Sequence, residues 1–357
     1  MKVLFYISTI RGGGAARVMT NLANRFVRDT AQVVFVTNFT DINEYRLSKS
    51  VKRFSIEDTE SKRNVFIKNI KRICALRRLI CNENPDIVVS FMHENDVRAY
   101  LATRWVKTKL LLSVRNDPKA VYKSKMKGCL AKYIYRHCDG VVFQTEEAKD
   151  WFGRINGKSR IIMNQVAEEF YNTNTEEIVR KNIVTTGKFM EQKNHKLLID
   201  AYKMIESETN EDLIIYGDGK LREQYQEYIK ALGLEQRVLL PGNISNVAES
   251  IKDAKVFVMT SDYEGMPNSL MEAMALGLPC ISTDCPCGGP RALIDHGKNG
   301  LLIQVGDTET LAQYIKELLK KSEWASQIGE EAQIKAKSFK PDMIYKQWKT
   351  FLEELVL

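Results

Sequence analysis

Short apolar runs alternate with helical patterns along the whole chain. The runs are continuous in Val, Ile and Leu, which is typical of parallel strands that are buried on both faces. With helices between them, the runs predict a doubly wound α/β domain in each half of the chain. The predicted strands cover residues 3–8, 32–38, 86–92, 109–114 and 140–145 in the first half, and 182–187, 212–219, 237–243, 255–261, 279–284 and 301–305 in the second.

The chain of 357 residues is long enough for two domains of this kind. The polar stretch 168–182 lacks both the strand period and the helix period and is the predicted linker. An amphipathic helix is predicted for residues 341–357, packing back toward the first domain. We therefore predict domains over residues 1–170 and 171–340, followed by this helix.

Composition is that of a globular protein, with 44% hydrophobic and 27% charged residues. No apolar run reaches the roughly 18 residues of a membrane span. The opening MKVLFYISTI is interpreted as a buried strand rather than a signal peptide. Seven cysteines without regular spacing favour reduced thiols in the cytoplasm over disulfides or a zinc site.

Charge is divided unequally between the two halves. Residues 1–170 contain 31 Lys and Arg against 17 Asp and Glu, whereas the remainder contains 22 against 28. The first half is therefore expected to face an anionic partner, either nucleic acid or a membrane surface.

A glycine-rich turn, RGGGAAR (11–17), follows the first predicted strand and opens a helix. Such a turn lets the backbone approach a phosphate at a helix N-terminus. It does not fit a dinucleotide fingerprint, because Arg17 stands where the third glycine belongs and the second strand ends in Thr37-Asn38 rather than an acid. A tight turn without a ligand is the alternative interpretation.

The loop GKFMEQKNH (187–195) follows another predicted strand and carries two lysines, Lys188 and Lys193. Two ammonium groups at a strand end can neutralise a diphosphate. Solvated lysines on a loop would give the same pattern.

The stretch EGMPNSLMEAMALGLP (264–279) contains two carboxylates in an apolar setting. Pro267 near the start and Gly277 near the end predict a helix of about three turns, with Pro267 at the first helical position. The N–H groups at its start form an anion site, and Glu272 lies one turn inside, close enough to accept two ribose hydroxyls. Glu264 and Glu272 could instead be a capping residue and a buried residue bonded to backbone.

The Glu-x7-Glu pattern of Glu264 and Glu272, followed by AMALGLP, resembles the signature of the retaining glycosyltransferases of family 4. GGGAARV, GKFMEQKNH, LIIYGDGKLRE, VLLPGN and NGLLIQVGD stand in the matching order. The resemblance covers the second half strongly and the first half in outline. It implies the GT-B fold, in which two Rossmann-like doubly wound domains face a central cleft.

The resemblance implies a nucleotide-sugar site. Glu272 would bind the ribose hydroxyls and Glu264 a hydroxyl of the transferred sugar, with Lys188 and Lys193 on the diphosphate. From the first domain, Gly13 or Gly14 would close on the phosphates. The remaining donor-binding residues that it implies are Gly187, Gly242, Asn243, Gly265, Met266, Asn268, Ser269 and Leu270.

Departures from the family pattern bear on the acceptor. Where many relatives carry a histidine after the fifth strand, this chain has Arg115 and Asn116, and Ala16 replaces a glutamate of the glycine-rich turn. His93 follows the strand DIVVSFM and is a candidate to touch the acceptor. No Asp-x-Asp occurs in the sequence, so we expect neither a metal nor another cofactor.

Two cationic segments in the first half have helical periodicity, residues 61–83 and 119–137. In the first, one face is predicted to be apolar and the opposite face basic, with Arg77 as the exception. Basic amphipathic helices bind anionic membranes, although a core-facing helix with a solvated basic face gives the same pattern. Nucleic acid is less favoured, because no recognised binding fold is present. The predicted apolar face comprises Phe66, Ile70, Ile73, Leu76 and Ile80, and the basic face Lys68, Lys71, Arg72 and Arg78.

Together these features predict a retaining, metal-independent glycosyltransferase. It would move a hexose or N-acetylhexosamine from a nucleotide-sugar, with a UDP-sugar favoured, to a growing bacterial surface glycan on a polyprenyl diphosphate. The predicted location is the cytoplasm, at the inner face of the cell membrane. A catalytically silent nucleotide-sugar-binding partner, an epimerase and a phosphorylase of related fold are the alternatives.

Overall fold

The computed structural model describes residues 1–29, 31–41, 44–57, 65–175 and 178–357. They divide into two compact units, Met1–Asn164 with Asp342–Leu357, and Gln165–Pro341. Residues 61–64 of the predicted basic helix and 176–177 of the predicted linker lie outside the described residues.

The first unit is built on a seven-stranded parallel sheet in the order β3-β2-β1-β4-β5-β6-β7. Its strands are β1 Lys2–Ile7, β2 Gln32–Thr37, β3 Lys52–Ser55, β4 Ile87–Phe91, β5 Lys109–Ser113, β6 Gly140–Phe143 and β7 Lys158–Ile161. Its helices are α1 Gly14–Arg28, α2 Val65–Glu83, α3 His93–Thr103, α4 Pro118–Val121, α5 Lys125–Arg136, α6 Glu146–Phe152 and, at the end of the chain, α15 Pro341–Val356.

The second unit is built on a six-stranded parallel sheet in the order β10-β9-β8-β11-β12-β13. Its strands are β8 Lys181–Thr186, β9 Leu213–Tyr216, β10 Val238–Gly242, β11 Ala254–Met259, β12 Cys280–Thr283 and β13 Leu301–Ile303. Its helices are α7 Glu169–Asn172, α8 His195–Ile205, α9 Arg222–Ala231, α10 Val247–Ile251, α11 Asn268–Ala275, α12 Gly289–Leu293, α13 Thr308–Lys320 and α14 Ser322–Ala336. The predicted α/β class with two Rossmann-like domains is therefore confirmed.

Two strands, β3 and β7, have no counterpart among the predicted ones. They form the two edges of the first sheet and are partly exposed, with the sequences KRFS and KSRI. The prediction relied on continuous apolar runs, which are a property of central strands that are covered on both faces. Edge strands of polar composition carry no such signal.

The C-terminal helix α15 belongs to the core of the first unit. Trp348 is fully buried and packs on Phe91, with ring centroids 5.6 Å apart. Phe351, Leu352 and Leu355 lie in the same apolar cluster as Phe5 of β1 and Phe26 of α1. The helix thus covers one face of the sheet together with α1. Within the described ranges, no helix combines the length and apolarity needed to cross a bilayer.

The sequence pattern left two interpretations of α2 open, an apolar face toward a membrane or toward the core, and over the first two turns the apolar face does not pack on the core. Phe66 and Ile70 of the predicted apolar face are exposed, whereas Lys68 and Arg72 of the predicted basic face are largely covered. The reason is Glu57, which accepts two hydrogen bonds from Arg72 (3.0 and 2.9 Å) and lies 3.9 Å from the Lys68 ammonium. Among the apolar residues of α2 whose side chains the structure describes, Leu76 and Ile80 are fully buried.

Candidate functional site

In the second unit the strand order reverses between β8 and β11, because β9 and β10 lie to one side of β8 and the later strands lie beyond β11. In open α/β sheets, ligands bind outside the carboxyl ends of the strands at such a reversal. The loop after β8 carries Lys188 and Lys193, and the loop after β11 carries Glu264. The topology therefore brings these predicted site residues to one point.

Hydrogen bonds hold these two loops together. The Thr260 hydroxyl donates to the carbonyls of Lys193 (3.1 Å) and Asn194 (3.0 Å), and the Asn194 amide donates to Asp262 (2.8 Å). Gln192 accepts from the Asp262 N–H (2.8 Å) and donates through its side chain to a carbonyl of the second loop (2.8 Å). The position of one loop therefore fixes that of the other.

The result is an ion pair between two predicted catalytic residues. The Lys193 Nζ lies 2.6 Å from Glu264 Oε1, and the two side chains are only 19% and 10% exposed. A carboxylate this well covered needs a partner, and the lysine supplies it. Lys188, in contrast, is exposed, and its ammonium has no partner among the described residues.

The loop after β12 holds the backbone of Glu264. The Glu264 N–H donates to the Pro286 carbonyl (2.6 Å), and the Cys287 N–H donates to the Glu264 carbonyl (2.9 Å). Gly289 permits this approach, because a Cβ there would come within 2.0 Å of the Gly265 oxygen. Adjacent strands β8, β11 and β12 thus all contribute to the setting of one carboxylate.

Helix α11 begins at Asn268, with Pro267 in extended conformation just before it. The sequence predicts a helix start at Pro267 or Asn268; the second is observed, and Pro267 occupies the N-cap rather than the first helical position. Its extended backbone is compatible with a fixed proline φ, and it leaves Asn268 and Ser269 in the first turn. Glu272 lies in the second turn and is only 5% exposed. The predicted donor-binding residues Gly265, Met266 and Leu270 are buried, and Asn268 and Ser269 are partly exposed.

Two further predicted residues, Gly187 and Gly242, are joined by the backbone of the strand between them. The Gly187 N–H donates to the Tyr216 carbonyl, and the Gly217 N–H donates to the Gly242 carbonyl, each over 2.9 Å. Gly242 ends β10, and Asn243 follows it as an exposed residue. These residues line the same carboxyl-terminal edge of the sheet: Gly187 follows β8, as Lys193 does, and Gly242 and Asn243 lie two strands away.

In the first unit the strand order reverses between β1 and β4. The glycine-rich turn follows β1, with Gly13 as the N-cap of α1 at φ 85° and Gly14 as its first residue. His93 follows β4 as the first residue of α3. Ser8 links these two segments by donating to the Asn95 side chain (2.6 Å). The phosphate-type turn and the acceptor candidate thus flank one reversal point.

The acceptor-side candidates have different surroundings. His93 is partly buried with its ring edge-on to Tyr122 (4.5 Å), and burial lowers its pKa, so the imidazole is neutral at pH 7. Arg115 donates to Asn164 (2.8 Å) and lies over the Phe91 ring at 3.9 Å, and burial lowers its pKa to about 9. Asn116 accepts from the next backbone N–H at 2.8 Å.

Two buried titratable residues had not been predicted. His195 begins α8 two residues after Lys193 and is 2% exposed. Asp96 lies fully buried in α3, where it accepts a hydrogen bond from Tyr135, and burial raises its pKa well above the ordinary value. The sequence contains a signal for the start of α8 at His195, because Asn194 before an apolar-periodic run is a helix N-cap pattern. No local sequence pattern marks Asp96.

Comparison with known proteins identifies the family to which the chain belongs. The model of "Glycosyl transferases group 1" matches residues 169–335, and that of "Glycosyltransferase Family 4" matches residues 12–169. An uncharacterized glycosyltransferase of Methanocaldococcus jannaschii is 30% identical over 342 residues, which are 80% of this chain and 84% of that protein. The Campylobacter jejuni GalNAc-α-(1→4)-GalNAc-α-(1→3)-diNAcBac-PP-undecaprenol α-1,4-N-acetyl-D-galactosaminyltransferase is 24% identical over 360 residues, 99% of both chains. Among solved structures, Anabaena HepE in complex with UDP has a TM-score of 0.81 at 19% identity, covering 99% of this chain and 100% of HepE.

Two parallel Rossmann-like sheets of this kind define the GT-B class. The chain belongs to the family 4 type of glycosyltransferases, as the glycosyltransferase resemblance had predicted.

A double-mutant cycle tests the ion pair. Lys193→Gln or Glu264→Gln alone leaves the other side chain covered and unpaired, so we expect the double variant to be more stable than the sum of the two losses predicts. The coupling should be about 1–2 kcal/mol in urea unfolding, because the pair is largely but not fully buried. The exposed pair Lys321–Glu317 is the control, with an expected coupling of about 0.3–0.5 kcal/mol. Equal coupling in both pairs would contradict the assignment.

The buried His195 predicts acid sensitivity. Burial and the charge of Lys193 lower its pKa to about 4, whereas the unfolded chain has the ordinary value near 6.5. Between these values the unfolded state binds more protons, so the free energy of unfolding falls as the pH drops from about 6.5 to about 4, by up to about 3 kcal/mol.

We expect His195→Asn to remove this part of the pH dependence in urea unfolding. His137→Asn, at an exposed histidine, is the control. A His195→Asn profile that parallels the wild type from pH 6.5 to pH 4 would show that His195 is not the group responsible.

Proposed function

We propose that this glycosyltransferase moves a hexose or N-acetylhexosamine from a UDP-sugar with retention of anomeric configuration and without a metal. The observation that carries the proposal is the Lys193–Glu264 ion pair at the sheet reversal of the second unit, close in sequence to the start of α11. UDP is favoured because HepE, which shares the fold, was solved with UDP. Metal independence rests on the lack of any Asp-x-Asp in the sequence.

In this proposal the second unit holds the donor. Glu272 accepts hydrogen bonds from the ribose hydroxyls, and Lys188, Lys193 and the first turn of α11 receive the diphosphate. Glu264 accepts a hydrogen bond from a hydroxyl of the transferred sugar. When Lys193 pairs with the diphosphate, its ion pair with Glu264 weakens. The hydrogen bond from the sugar hydroxyl then stabilises the Glu264 carboxylate in its place.

The bond that breaks joins the anomeric carbon to the diphosphate oxygen, and its electron pair leaves with the diphosphate. Lysines and helical N–H groups stabilise that growing negative charge, and preorganised donors of this kind typically contribute about 3 kcal/mol each. The acceptor hydroxyl forms the new bond to the anomeric carbon on the same face. Its proton passes to the leaving phosphate oxygen, so a dedicated general base is not required.

We assign acceptor recognition to the first unit. His93 is the leading candidate, because a neutral imidazole can either donate to or accept from a sugar hydroxyl. A polyprenyl-diphosphate-linked glycan is favoured because the Campylobacter relative is named for such a substrate and matches over the full length of both chains. An acceptor of this type lies at a membrane, which agrees with the basic charge of residues 1–170.

Release of nucleotide from a panel of UDP-, GDP- and ADP-sugars in EDTA tests the proposal, with and without a lipid-linked glycan extract. We expect release from one UDP-sugar that increases with extract, and a product whose anomeric configuration by NMR equals that of the donor. Inversion would overturn the retaining mechanism, and dependence on added metal would overturn metal independence. Binding without turnover across donors and extract fractions would favour the silent partner.

Substitution of the two glutamates separates their roles. Glu272→Gln should weaken UDP binding about tenfold or more, because a hydrogen bond to a charged group contributes about 1.5–3 kcal/mol. Glu264→Gln should mainly lower kcat. Isothermal titration with UDP and initial rates with the donor identified above measure the two effects, and the exposed Glu249→Gln is the control. Unchanged UDP affinity in Glu272→Gln would refute the ribose assignment.

A further inference from the structure

Helix α2 turns an apolar side toward solvent. Phe66 is 71% exposed, Ile67 50% and Ile70 46%, all within the first two turns. Large apolar residues that are exposed singly are ordinary, but a group of three on one helix marks an interaction surface.

The orientation of α2 is fixed by polar contacts on its inner side. Glu57 pairs with Arg72 and Lys68, and the Asn69 side chain accepts a hydrogen bond from Arg98 of α3 at 2.9 Å. Rotation of the helix to bury the apolar side would break these bonds and leave covered charges unpaired. The exposed apolar group is therefore a stable feature of the fold.

Helix α5 also has a group of exposed apolar side chains. Met126, Leu130 and Tyr133 are 78%, 48% and 54% exposed and lie at helical spacing, while Ala131 and Ile134 face inward. Right-handed crossovers place α2, α3 and α5 on one side of the sheet, and α3 packs against both of the others. The opposite side of the sheet is covered by α1 and α15. We call the outer surface of these two helices the α2/α5 face.

The charge of the α2/α5 face is almost entirely positive. Its sequences, VFIKNIKRICALRRLICNE and KMKGCLAKYIYR, contain a single acidic residue, Glu83. Exposed cations border both apolar groups: Lys71, Arg78, Lys125, Lys127, Lys132 and Arg136. Apolar side chains bordered by cations match an anionic lipid surface, which offers hydrocarbon below a layer of negative headgroups.

We propose that the α2/α5 face inserts into the headgroup layer of an anionic bilayer, with Phe66, Ile67, Ile70, Met126, Leu130 and Tyr133 as the inserting side chains. This assignment rests on the proposed function, for which a lipid-linked acceptor lies at the membrane. It differs from attraction by charge alone, because the residues that enter the membrane are exposed apolar side chains.

The inserting role predicts how the full-length protein partitions onto vesicles. In a flotation assay with phosphatidylglycerol–phosphatidylcholine vesicles, we expect Phe66→Ser/Ile67→Ser/Ile70→Ser to lower bound protein about tenfold or more, and Met126→Ser/Leu130→Ser to act in the same direction. The control is Met204→Ser/Ile334→Ser in the second unit, where the replaced residues are 52% and 56% exposed and binding should not change. Lys71→Gln/Arg78→Gln should weaken binding and reduce its dependence on salt.

Each outcome has a defined meaning. Equal binding by the wild type and both apolar variants, or binding of the wild type to pure phosphatidylcholine as strong as to the anionic vesicles, would overturn the proposal. A dimer in light scattering that the apolar variants convert to monomer would show that a second copy covers the face instead. UDP binding is measured on the same preparations. A wild type that binds UDP but not the vesicles would refute only the membrane assignment. A wild type that does not bind UDP would refute the proposed function.

Discussion

The parallel pairing of β8 with β11 is the constraint on which the candidate site depends. Neither strand carries a site residue, but their carboxyl ends lie side by side, and the loops that follow are joined by hydrogen bonds through Thr260, Gln192 and Asn194. This junction places Lys193 within 2.6 Å of Glu264 although 71 residues separate them. An ordered junction keeps the pair in place before any ligand arrives, which is the preorganisation that electrostatic catalysis requires.

In the first unit, buried polar side chains fix the segments that follow the strands. Tyr6 donates to Asn38 (2.8 Å), Asn38 donates to Ser8 (3.0 Å), and Ser8 donates to Asn95 (2.6 Å), so the ends of β1, β2 and β4 are linked in series. Buried polar groups are costly unless they are paired, and once paired they specify a single arrangement. The glycine-rich turn and His93 are thereby positioned by residues that have no part in the proposed chemistry.

Helix α2 shows what a pattern of apolar and polar residues leaves open. Its period correctly predicts a helix, since any surface helix displays its residues at this spacing. The period does not state which side faces the protein, because Glu57, which decides it, lies outside the helix in sequence. A single covered carboxylate with two cations opposite it outweighs the tendency of Phe66 and Ile70 to be buried.

The sequence alone determined the α/β class, the central strands and the family, because each rests on local apolar runs and on short motifs such as the one that contains Glu264 and Glu272. It did not reveal β3 and β7, whose edge positions leave no apolar run, nor Asp96 and His195, whose burial depends on distant segments. The strand order was decided only by the tertiary structure. A crossover of the same length can add its strand to either side of the preceding one, and only that choice sets which loops meet at the reversal. The Lys193–Glu264 pair is therefore a consequence of topology, formed by residues that the sequence could name but could not bring together.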